Sequence, residues 1–310
     1  MEKLSKRNLL DVASLSREEV ELILKKTDEI KSLETHEQLS ILEGKTLVML
    51  FEKPSTRTRI SFEVGMDQLG GHALWFSAKD SHLGRGETVS DTAKVLSRYN
   101  DGIAARLFKH YDLEELARDS DIPVINALTD LHHPCQALAD AYTIKQHLGN
   151  LKHHKVAFIG DGGANTSHSL MEACAKLGMD YSVASPEGYA PKPDVYKRAL
   201  RDANENNSVI RIVKDPASAV EGADIVYTDT WVSMGFEEEA VKRVRLFKDY
   251  QVTRQLMQHA ESWAKFMHCL PAHRGQEVSP EVIDGPQSIV FDQAENRLHV
   301  QKAVLSLLLA

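Results

Sequence analysis

Short apolar segments alternate with amphipathic segments along most of the chain. Each apolar segment is four to six residues long and is bounded by Gly, Asp, Asn, Ser or Pro, which is typical of strands. We predict strands at Thr46–Phe51, Ala73–Ser77, Gly102–Leu107, Pro123–Ala127, Lys155–Gly160, Tyr181–Ser185, Val209–Val213, Ile225–Asp229, Lys265–Cys269 and Ser288–Phe291. Short apolar strands that alternate with helices indicate parallel sheets covered on both faces.

The amphipathic segments predict helices between these strands. A capping box, Ser16-Arg17-Glu18-Glu19, begins one that runs to Ser32. Further helices are predicted at Thr56–Leu69, Ser90–Tyr99, Pro134–Leu148, Thr166–Leu177, Pro193–Ala203, Phe247–His259 and Ala294–Ala310. The fold class is therefore α/β, with doubly wound parallel sheets.

The length of 310 residues indicates about two domains. A polar stretch at 149–154 precedes a new strand, so we place one domain at 1–149 and the second at 150–293. The last helix, 294–310, is expected to pack back on the first domain. In two such domains ligands bind at the carboxyl ends of the strands and in the interdomain cleft, where we expect the active site.

Composition narrows the class of partner. A formal charge of −8 disfavours nucleic acid and anionic membranes, so an anionic ligand needs a local positive site. Apolar runs long enough to span a bilayer, and a signal-peptide pattern at the N-terminus, are both missing from the sequence. The three cysteines are an odd, small set that suits a reducing compartment. We predict a cytoplasmic protein.

A run of hydroxyl and guanidinium groups, Ser55-Thr56-Arg57-Thr58-Arg59, follows the first strand and opens a helix. The first turn of a helix offers unpaired N–H groups and the positive end of the helix dipole. Together these groups favour binding of a phosphate dianion. The alternative is a Ser N-cap followed by solvated arginines.

A second group lies at Asp130–Gln136, where Pro134 fits the first position of a helix. A neutral His133 and the amide of Gln136 could both donate to a carbonyl oxygen at this helix start. The alternative is a capping histidine and a solvent-facing glutamine.

Two further turns carry polar groups after strands. Gly160-Asp161-Gly162-Gly163-Ala164-Asn165 fits a dinucleotide fingerprint poorly because its third glycine position holds Asn165. A turn that gives N–H groups and an amide to a carboxylate fits better. Asp229, followed by Thr230-Trp231-Val232-Ser233-Met234-Gly235, could bind an ammonium on a mobile loop, or could be an ordinary capping residue.

Cys269 lies in His268-Cys269-Leu270-Pro271-Ala272-His273-Arg274, at the end of another apolar strand. It could be a nucleophile, a metal ligand or a buried thiol, and Pro271 raises the possibility of a cis peptide. Cys269, His268, His133 and Cys135 lack paired ligand spacing such as C-x-x-C, so we predict no metal site. Arg297 opens the last helix, with a surface arginine as its alternative.

Taken in order, these motifs resemble the aspartate/ornithine carbamoyltransferase family. The set is Ser-Thr-Arg-Thr-Arg, His-Pro-Cys-Gln, Asp-x-x-x-Ser-Met-Gly and His-Cys-Leu-Pro, and the resemblance covers essentially the whole chain. The last two motifs are most similar to the ornithine-specific members, since aspartate-specific members carry His-Pro-Leu-Pro near the end.

The resemblance implies transfer of a carbamoyl group from carbamoyl phosphate to the δ-amine of L-ornithine, giving L-citrulline and phosphate, without metal or organic cofactor. It also implies a homotrimer, or a multiple of trimers, in which the segment around His82 reaches a neighbouring active site. By motif, the carbamoyl-phosphate site would be formed by Ser55, Thr56, Arg57, Thr58, His82, Arg106, His133, Gln136, Cys269, Leu270 and Arg297. Ornithine would meet Asn165, Asp229, Ser233, Met234 and Cys269, and catalysis would fall to Cys269, Arg106 and His133.

Two departures from the family pattern stand out. Members usually have two adjacent asparagines where this chain has Gly163-Ala164-Asn165, and many bacterial members have Gln at the position of His82. The alternatives are a different acceptor (aspartate, putrescine or an acylated ornithine), a non-catalytic carbamoyl-phosphate-binding protein, and a nicotinamide oxidoreductase. Asp229 disfavours aspartate, because it would repel a carboxylate.

Overall fold

The computed structural model describes residues 3–77, 86–232 and 237–310. The chain divides into two compact units, the first comprising Met1–Tyr142 and Glu295–Ala310, the second Thr143–Ala294. The unit boundaries fall within the helices Pro134–Leu148 (α6) and Val290–Leu309 (α13).

The first unit contains a four-stranded parallel sheet. Its strands are Thr46–Phe51 (β1), His72–Ser77 (β2), Gly102–Arg106 (β3) and Val124–Leu128 (β4), in the order β2-β1-β3-β4. The chain moves from β1 outwards to β2 and then crosses to the other side of β1. Such a reversal opens a crevice at the carboxyl ends of the two strands that flank it, here β1 and β3.

The second unit contains a five-stranded parallel sheet in the order β7-β6-β5-β8-β9. Its strands are Lys155–Ile159 (β5), Asp180–Ala184 (β6), Ile210–Val213 (β7), Ile225–Thr228 (β8) and Lys265–His268 (β9). The reversal here lies between β5 and β8, so each unit is doubly wound, as predicted, and has its own crevice.

Helices connect the strands in both units. In the first unit they are Arg17–Ser32 (α1), Thr35–Leu39 (α2), Thr56–Gln68 (α3), Val89–Tyr99 (α4) and His110–Asp119 (α5). In the second they are Asn165–Leu177 (α7), Pro193–Asn206 (α8), Pro216–Val220 (α9), Ala240–Phe247 (α10), Arg254–Met257 (α11) and Pro280–Ile283 (α12). The predicted capping box at Ser16 is present. The Ser16 hydroxyl accepts from the Glu19 amide, and the Glu19 carboxylate accepts from the Ser16 amide.

Apolar side chains of the strands form the two cores. In the first unit, Val48, Leu50 and Ile103 are buried with Leu113 and Leu116 of α5. In the second, a separate cluster holds strand residues with residues of α9 and α12, among them Ile159, Val226, Phe266, Val220 and Ile283. These cores hold the carboxyl ends of β1, β3, β5 and β8 in place.

Two predicted elements were wrong. Ser288–Phe291 is not a strand, because Ser288 makes a single bridge with Phe266 before α13 begins. The predicted helix Phe247–His259 is interrupted, because buried Val252 exchanges backbone hydrogen bonds with residues 277 and 279. In both places tertiary pairing to a neighbouring segment outweighs the local pattern. In the described part of the chain, every helix is too short or too polar for a membrane span.

Candidate active site

The first group of predicted residues lies at the reversal between β1 and β3. Phe51 at the end of β1 is paired with Arg106 at the end of β3. Four residues after Phe51, Ser55 caps α3, accepting a hydrogen bond from the Thr58 amide over 3.4 Å. Arg106 and Thr58 are buried. A helix N-terminus and a buried guanidinium thus share one crevice, which suits an anion.

The two arginines of the first turn of α3 have different surroundings. Arg59 is exposed, pairs with Glu63 over 2.9 Å and stacks 4.4 Å from the ring of Trp75. Arg57 is half-buried, and its charge acts on His133. Only Arg57 of this pair is therefore electrostatically coupled to the buried groups of the crevice.

The charges of three guanidinium groups act on His133. Burial, followed by the charges of Arg297, Arg106 and Arg57, lowers the pKa of His133 well below its usual value. The imidazole is therefore neutral at neutral pH and has one N–H to donate. A neutral donor beside three permanent cations is an arrangement that can bind an oxyanion and a phosphate together.

Arg297 joins the C-terminal helix to the other two helices of this site. Its Nη1 donates to Oε1 of Gln136 over 2.6 Å, and its Nη2 donates to Oγ1 of Thr58 over 3.1 Å. Gln136 in turn donates from Nε2 to Oδ1 of Asp140 over 2.8 Å. All four side chains are buried, so Arg297 is not a surface arginine.

Cys135 lies beside this group but is not reactive. Burial raises the pKa of its thiol to about 11, and its Sγ donates to the carbonyl oxygen of Asn126 over 3.4 Å. A thiol in this state stays protonated at neutral pH and serves as a buried apolar group.

In the second unit, two amide groups of the turn after β5 are already hydrogen-bonded to protein side chains. The Gly162 amide donates to Oγ of Ser185 over 3.0 Å, and the Gly163 amide donates to Oδ1 of Asp161 over 2.9 Å. A side chain at residue 162 would lie 2.6 Å from Ser185 Oγ, so the turn requires glycine there. These two amides are therefore occupied, and the predicted carboxylate contact rests on Asn165, at the start of α7.

Arg243 holds this turn to the segment that follows β8. Its Nη1 donates to Oδ2 of Asp161 over 2.6 Å and to the carbonyl oxygen of Trp231 over 3.1 Å. The guanidinium also lies 4.9 Å from the ring of Tyr189. Its charge opposes the rise in the pKa of Asp161 that burial causes. The two loops beside the second crevice are thereby linked.

Asp229 and Cys269, which follow neighbouring strands β8 and β9, are brought together. Sγ of Cys269 donates to Oδ1 of Asp229 over 3.0 Å, and both residues are half-buried. The next residue, Leu270, has φ of 57°, precedes a cis peptide bond to Pro271, and donates its amide to Nδ1 of His268 over 2.8 Å. The cis peptide anticipated from Pro271 is thus present. This edge of the second sheet presents a carboxylate and a thiol.

Three predicted residues, His82, Ser233 and Met234, lie outside the described residues. Two residues that support the site were missed by the sequence analysis. Asp140 stands four residues after Gln136 on α6, a spacing that indicates a side-chain pair on one helix face. Arg243 is 82 residues from Asp161, and no sequence signal connects them.

Comparison with known proteins places this geometry in a family. The description "Aspartate/ornithine carbamoyltransferase, carbamoyl-P binding domain" matches residues 7–146, and "Aspartate/ornithine carbamoyltransferase, Asp/Orn binding domain" matches residues 152–308. The ornithine carbamoyltransferase of Thermococcus kodakarensis is 52% identical over 99% of this chain and 97% of its own length. The ornithine carbamoyltransferase of Methanopyrus kandleri is 52% identical over 100% of this chain and 99% of its own.

Solved structures of ornithine carbamoyltransferases have the same fold as this chain. Ornithine carbamoyltransferase from Pyrococcus furiosus has a TM-score of 0.95 and 51% identity, with 100% of this chain and 99% of that chain covered. The enzyme from Thermus thermophilus has a TM-score of 0.87 and 43% identity, with 98% and 99% covered. The two family descriptions match in the same order as the two units, and this chain belongs to the aspartate/ornithine carbamoyltransferase family.

Proposed function

We propose that this chain transfers the carbamoyl group of carbamoyl phosphate to the δ-amine of L-ornithine, producing L-citrulline and phosphate. The observation that carries the proposal is the buried Arg297 bonded to Gln136 and Thr58, in a site where the charges of Arg297, Arg106 and Arg57 also lower the pKa of His133. A carbamoyl phosphate presents both a dianion and a carbonyl oxygen, which are the two groups that such a site can bind.

Carbamoyl phosphate binds to the first domain, 1–149 with 294–310 packed on it. The first turn of α3 holds the phosphate through Ser55, Thr56, Arg57 and Thr58, with His82 as a further ligand. Arg106 reaches both the phosphate and the carbamoyl oxygen. The bonds of Arg297 with Gln136 and Thr58 keep these two side chains oriented before the substrate arrives, which lowers the cost of binding.

Ornithine binds to the second domain, 150–293. Asp229 pairs with the α-ammonium group, together with Ser233 and Met234, and Asn165 binds the α-carboxylate. Cys269 and the Leu270 backbone face the reacting amine and the carbamoyl group. A carboxylate at the edge of this sheet favours a cationic acceptor over aspartate, because like charges repel.

The neutral δ-amine of ornithine attacks the carbamoyl carbon, and a tetrahedral oxyanion forms. Thr58, Arg106 and His133 donate to this oxyanion, and collapse of the intermediate breaks the bond between carbon and the phosphate oxygen. Phosphate leaves as an anion held by Arg57 and α3. One proton must leave the nitrogen, and the candidates are the Cys269 thiolate and the departing phosphate.

The departing phosphate is the better proton acceptor. Sγ of Cys269 is 3.0 Å from Oδ1 of Asp229, in a hydrogen bond that requires the thiol to keep its proton. Cys269→Ser should therefore lower kcat by less than about tenfold, because a neutral hydroxyl still bonds with Asp229. kcat/KM should rise with pH as the δ-ammonium of ornithine, an alkylamine with a pKa of about 10, loses its proton. The midpoint of this rise, measured by citrulline formation, should be the same in Cys269→Ser and in the parent. A midpoint displaced by the substitution would make Cys269 the base.

The function is tested by supplying carbamoyl phosphate with ornithine, aspartate, putrescine or N-acetylornithine and measuring the carbamoylated product. We expect turnover with ornithine alone. Arg57→Ala should raise the KM for carbamoyl phosphate, whereas Arg59→Ala, in the same helical turn but paired with Glu63, should leave it unchanged. Turnover with another acceptor would change the assigned substrate, and no turnover with any acceptor would leave only a binding function.

We also propose a homotrimer, or a multiple of trimers, that acts in arginine metabolism in the cytoplasm. Self-association is supported by β2, an edge strand on which Leu74 and Trp75 are exposed. Light scattering during gel filtration should give three times the chain mass of 34.7 kDa, or a multiple of that. The odd cysteine count supports a reducing compartment, which cell fractionation would test.

A further inference from the structure

The N-terminal segment extends the first sheet beyond β4. Leu9 forms a parallel bridge with Ile125: its amide donates to the Val124 carbonyl oxygen over 2.9 Å, and its carbonyl oxygen accepts from the Asn126 amide over 2.7 Å. The side chain of Asn126 also donates to the carbonyl oxygen of Leu10. These bonds carry the next residue, Asp11, to the carboxyl end of the sheet.

Two histidines reach the same edge from neighbouring strands. His110 begins α5 after β3, and His132 follows β4 in the loop before α6. One potential ligand atom from each of Asp11, His110 and His132 lies within 4.8 Å of the other two. His132 and His110 are buried and Asp11 is half-buried. Nothing in the proposed carbamoyl transfer uses this group.

Further hydrogen bonds hold the side chains of His110 and Asp11 and the backbone of His132. Nδ1 of His110 bonds with Oγ1 of Thr129 over 2.9 Å, and the same hydroxyl accepts from the His132 amide over 3.3 Å. Oδ1 of Asp11 accepts from the Ser14 amide over 2.7 Å. Histidines that bind a metal usually bond through their other ring nitrogen to an oxygen, and bound carboxylates are likewise hydrogen-bonded.

We propose that Asp11, His110 and His132 form a binding site for a divalent cation of the zinc class. Two imidazoles and one carboxylate are a donor set that zinc accepts, with a fourth position left for water. With ligand distances of about 2.0–2.1 Å, two ligands of a tetrahedral zinc stand about 3.4 Å apart. Three atoms that are up to 4.8 Å apart reach that spacing if each moves by about 0.8 Å towards their common centre.

Such an ion would connect three segments that are distant in the sequence. It would join the N-terminal segment to the starts of α5 and α6, and one of its ligands, His132, directly precedes His133. The bound ion therefore stabilises the first unit and restrains the start of α6, where His133 lies. This inference does not depend on the proposed function.

The test measures metal binding to chelator-treated, full-length protein. A second group, Asp229, His268 and Cys269, could also bind zinc, so all measurements use a Cys269→Ser background to remove its thiol. Equilibrium dialysis with Zn²⁺ should give about one ion per chain, and Co²⁺ should give the visible absorption of a site with N and O ligands. Zn²⁺ should also raise the Tm.

Substitutions locate the site. His132→Gln should abolish binding, and Asp11→Asn, on a half-buried residue less critical for folding, should weaken it at least tenfold. Thr129→Val removes the hydroxyl that bonds with His110 and should cost about 10- to 100-fold in affinity. His72→Gln, on an exposed histidine, is the matched control and should change nothing. Absence of stoichiometric binding in the Cys269→Ser background, or equal binding by the folded Asp11→Asn protein, would overturn the proposal.

Discussion

The two crevices, one in each unit, have the same origin in the topology but opposite charge. At the first crevice, between β1 and β3, the arginines 57, 106 and 297 act on a buried, neutral His133. At the edge of the second sheet, Asp229 and Cys269 form a half-buried pair, and the amides of Gly162 and Gly163 are already bonded to Ser185 and Asp161. The first crevice is positive and largely preassembled, whereas the second edge presents a carboxylate.

This difference suits the two unlike substrates of the proposed reaction, each bound by one of two similar folds. Like charges held close together repel, so the arginines of the first crevice gain most from a dianionic ligand. The carboxylate of the second edge gains most from an ammonium group. In the proposed reaction, the carbamoyl donor and the amine acceptor are thus distinguished by the sign of the charge at the carboxyl end of each sheet.

The comparison is tested most severely by removing a buried cation of the first crevice. Arg106→Met should lower kcat by about 100- to 1,000-fold, because a preorganised donor to the oxyanion is lost. Citrulline formation measures the effect, and circular dichroism checks the fold. Arg118→Met, on the exposed surface of α5, is the control. A kcat within tenfold of the parent would remove Arg106 from the reaction.

The converse experiment neutralises the second crevice. Asp229→Asn should raise the KM for ornithine by about 10- to 100-fold, because a hydrogen bond to a charged group is lost, while the KM for carbamoyl phosphate stays constant. Asp215→Asn, at the N-cap of α9 in the same unit, is the control. Equal changes in both KM values would show that the two crevices do not divide the substrates between them.

A smaller effect is expected from altering the fork of Arg297, that is, its paired hydrogen bonds to Gln136 and Thr58. Arg297→Lys keeps the charge but cannot bond with both Gln136 and Thr58, so kcat/KM for carbamoyl phosphate should fall by about tenfold. Arg274→Lys, which alters an exposed two-point pair with Asp284, should have no effect. If Arg297→Lys retained full activity, preorganisation by the fork would be unnecessary.

The smallest effect is on stability as a function of pH. Because the folded-state pKa of His133 lies below its unfolded value near 6.5, the unfolded chain takes up this proton first as pH falls. His133 thus contributes stability above pH about 6.5 that is lost below it, with a slope of up to about 1.4 kcal/mol per pH unit. Urea unfolding of the parent and His133→Gln in phosphate-free buffer, from pH 7.5 to 5, should show the steeper loss in the parent. Parallel curves would contradict the lowered pKa.

Local pattern was sufficient for the strands, including the partly exposed edge strands β2 and β7. All nine strands of the described structure were predicted, because short, continuous apolar segments flanked by turn residues are typical of strands. It failed at Phe247–His259 and Ser288–Phe291, where Val252 and Ser288 pair with segments that are distant in the sequence. Such pairing depends on the assembled sheet, which periodicity does not contain.

The candidate site divides in the same way. Motifs after β1, β8 and β9 predicted Ser55, Asp229 and Cys269, because polar residues that follow parallel strands lie at the carboxyl edge of their sheet. Arg106, the last residue of β3, was implied by the family resemblance. The bond between Arg297 and Thr58 spans 239 residues, and that between Arg243 and Asp161 spans 82. Neither could be predicted, because each depends on how helices pack on the sheets.

By itself, the sequence determined the fold class, the nine strands of the described structure, the capping box at Ser16 and the residue types gathered for chemistry. These are local properties, set by side-chain periodicity, by turn residues and by the groups that stand after each strand. The tertiary structure alone decided that His133 is neutral, that Arg297 is buried and that the Gly162 and Gly163 amides are occupied. Charge states and hydrogen-bond partners depend on burial and on distant neighbours, and folding is what creates both.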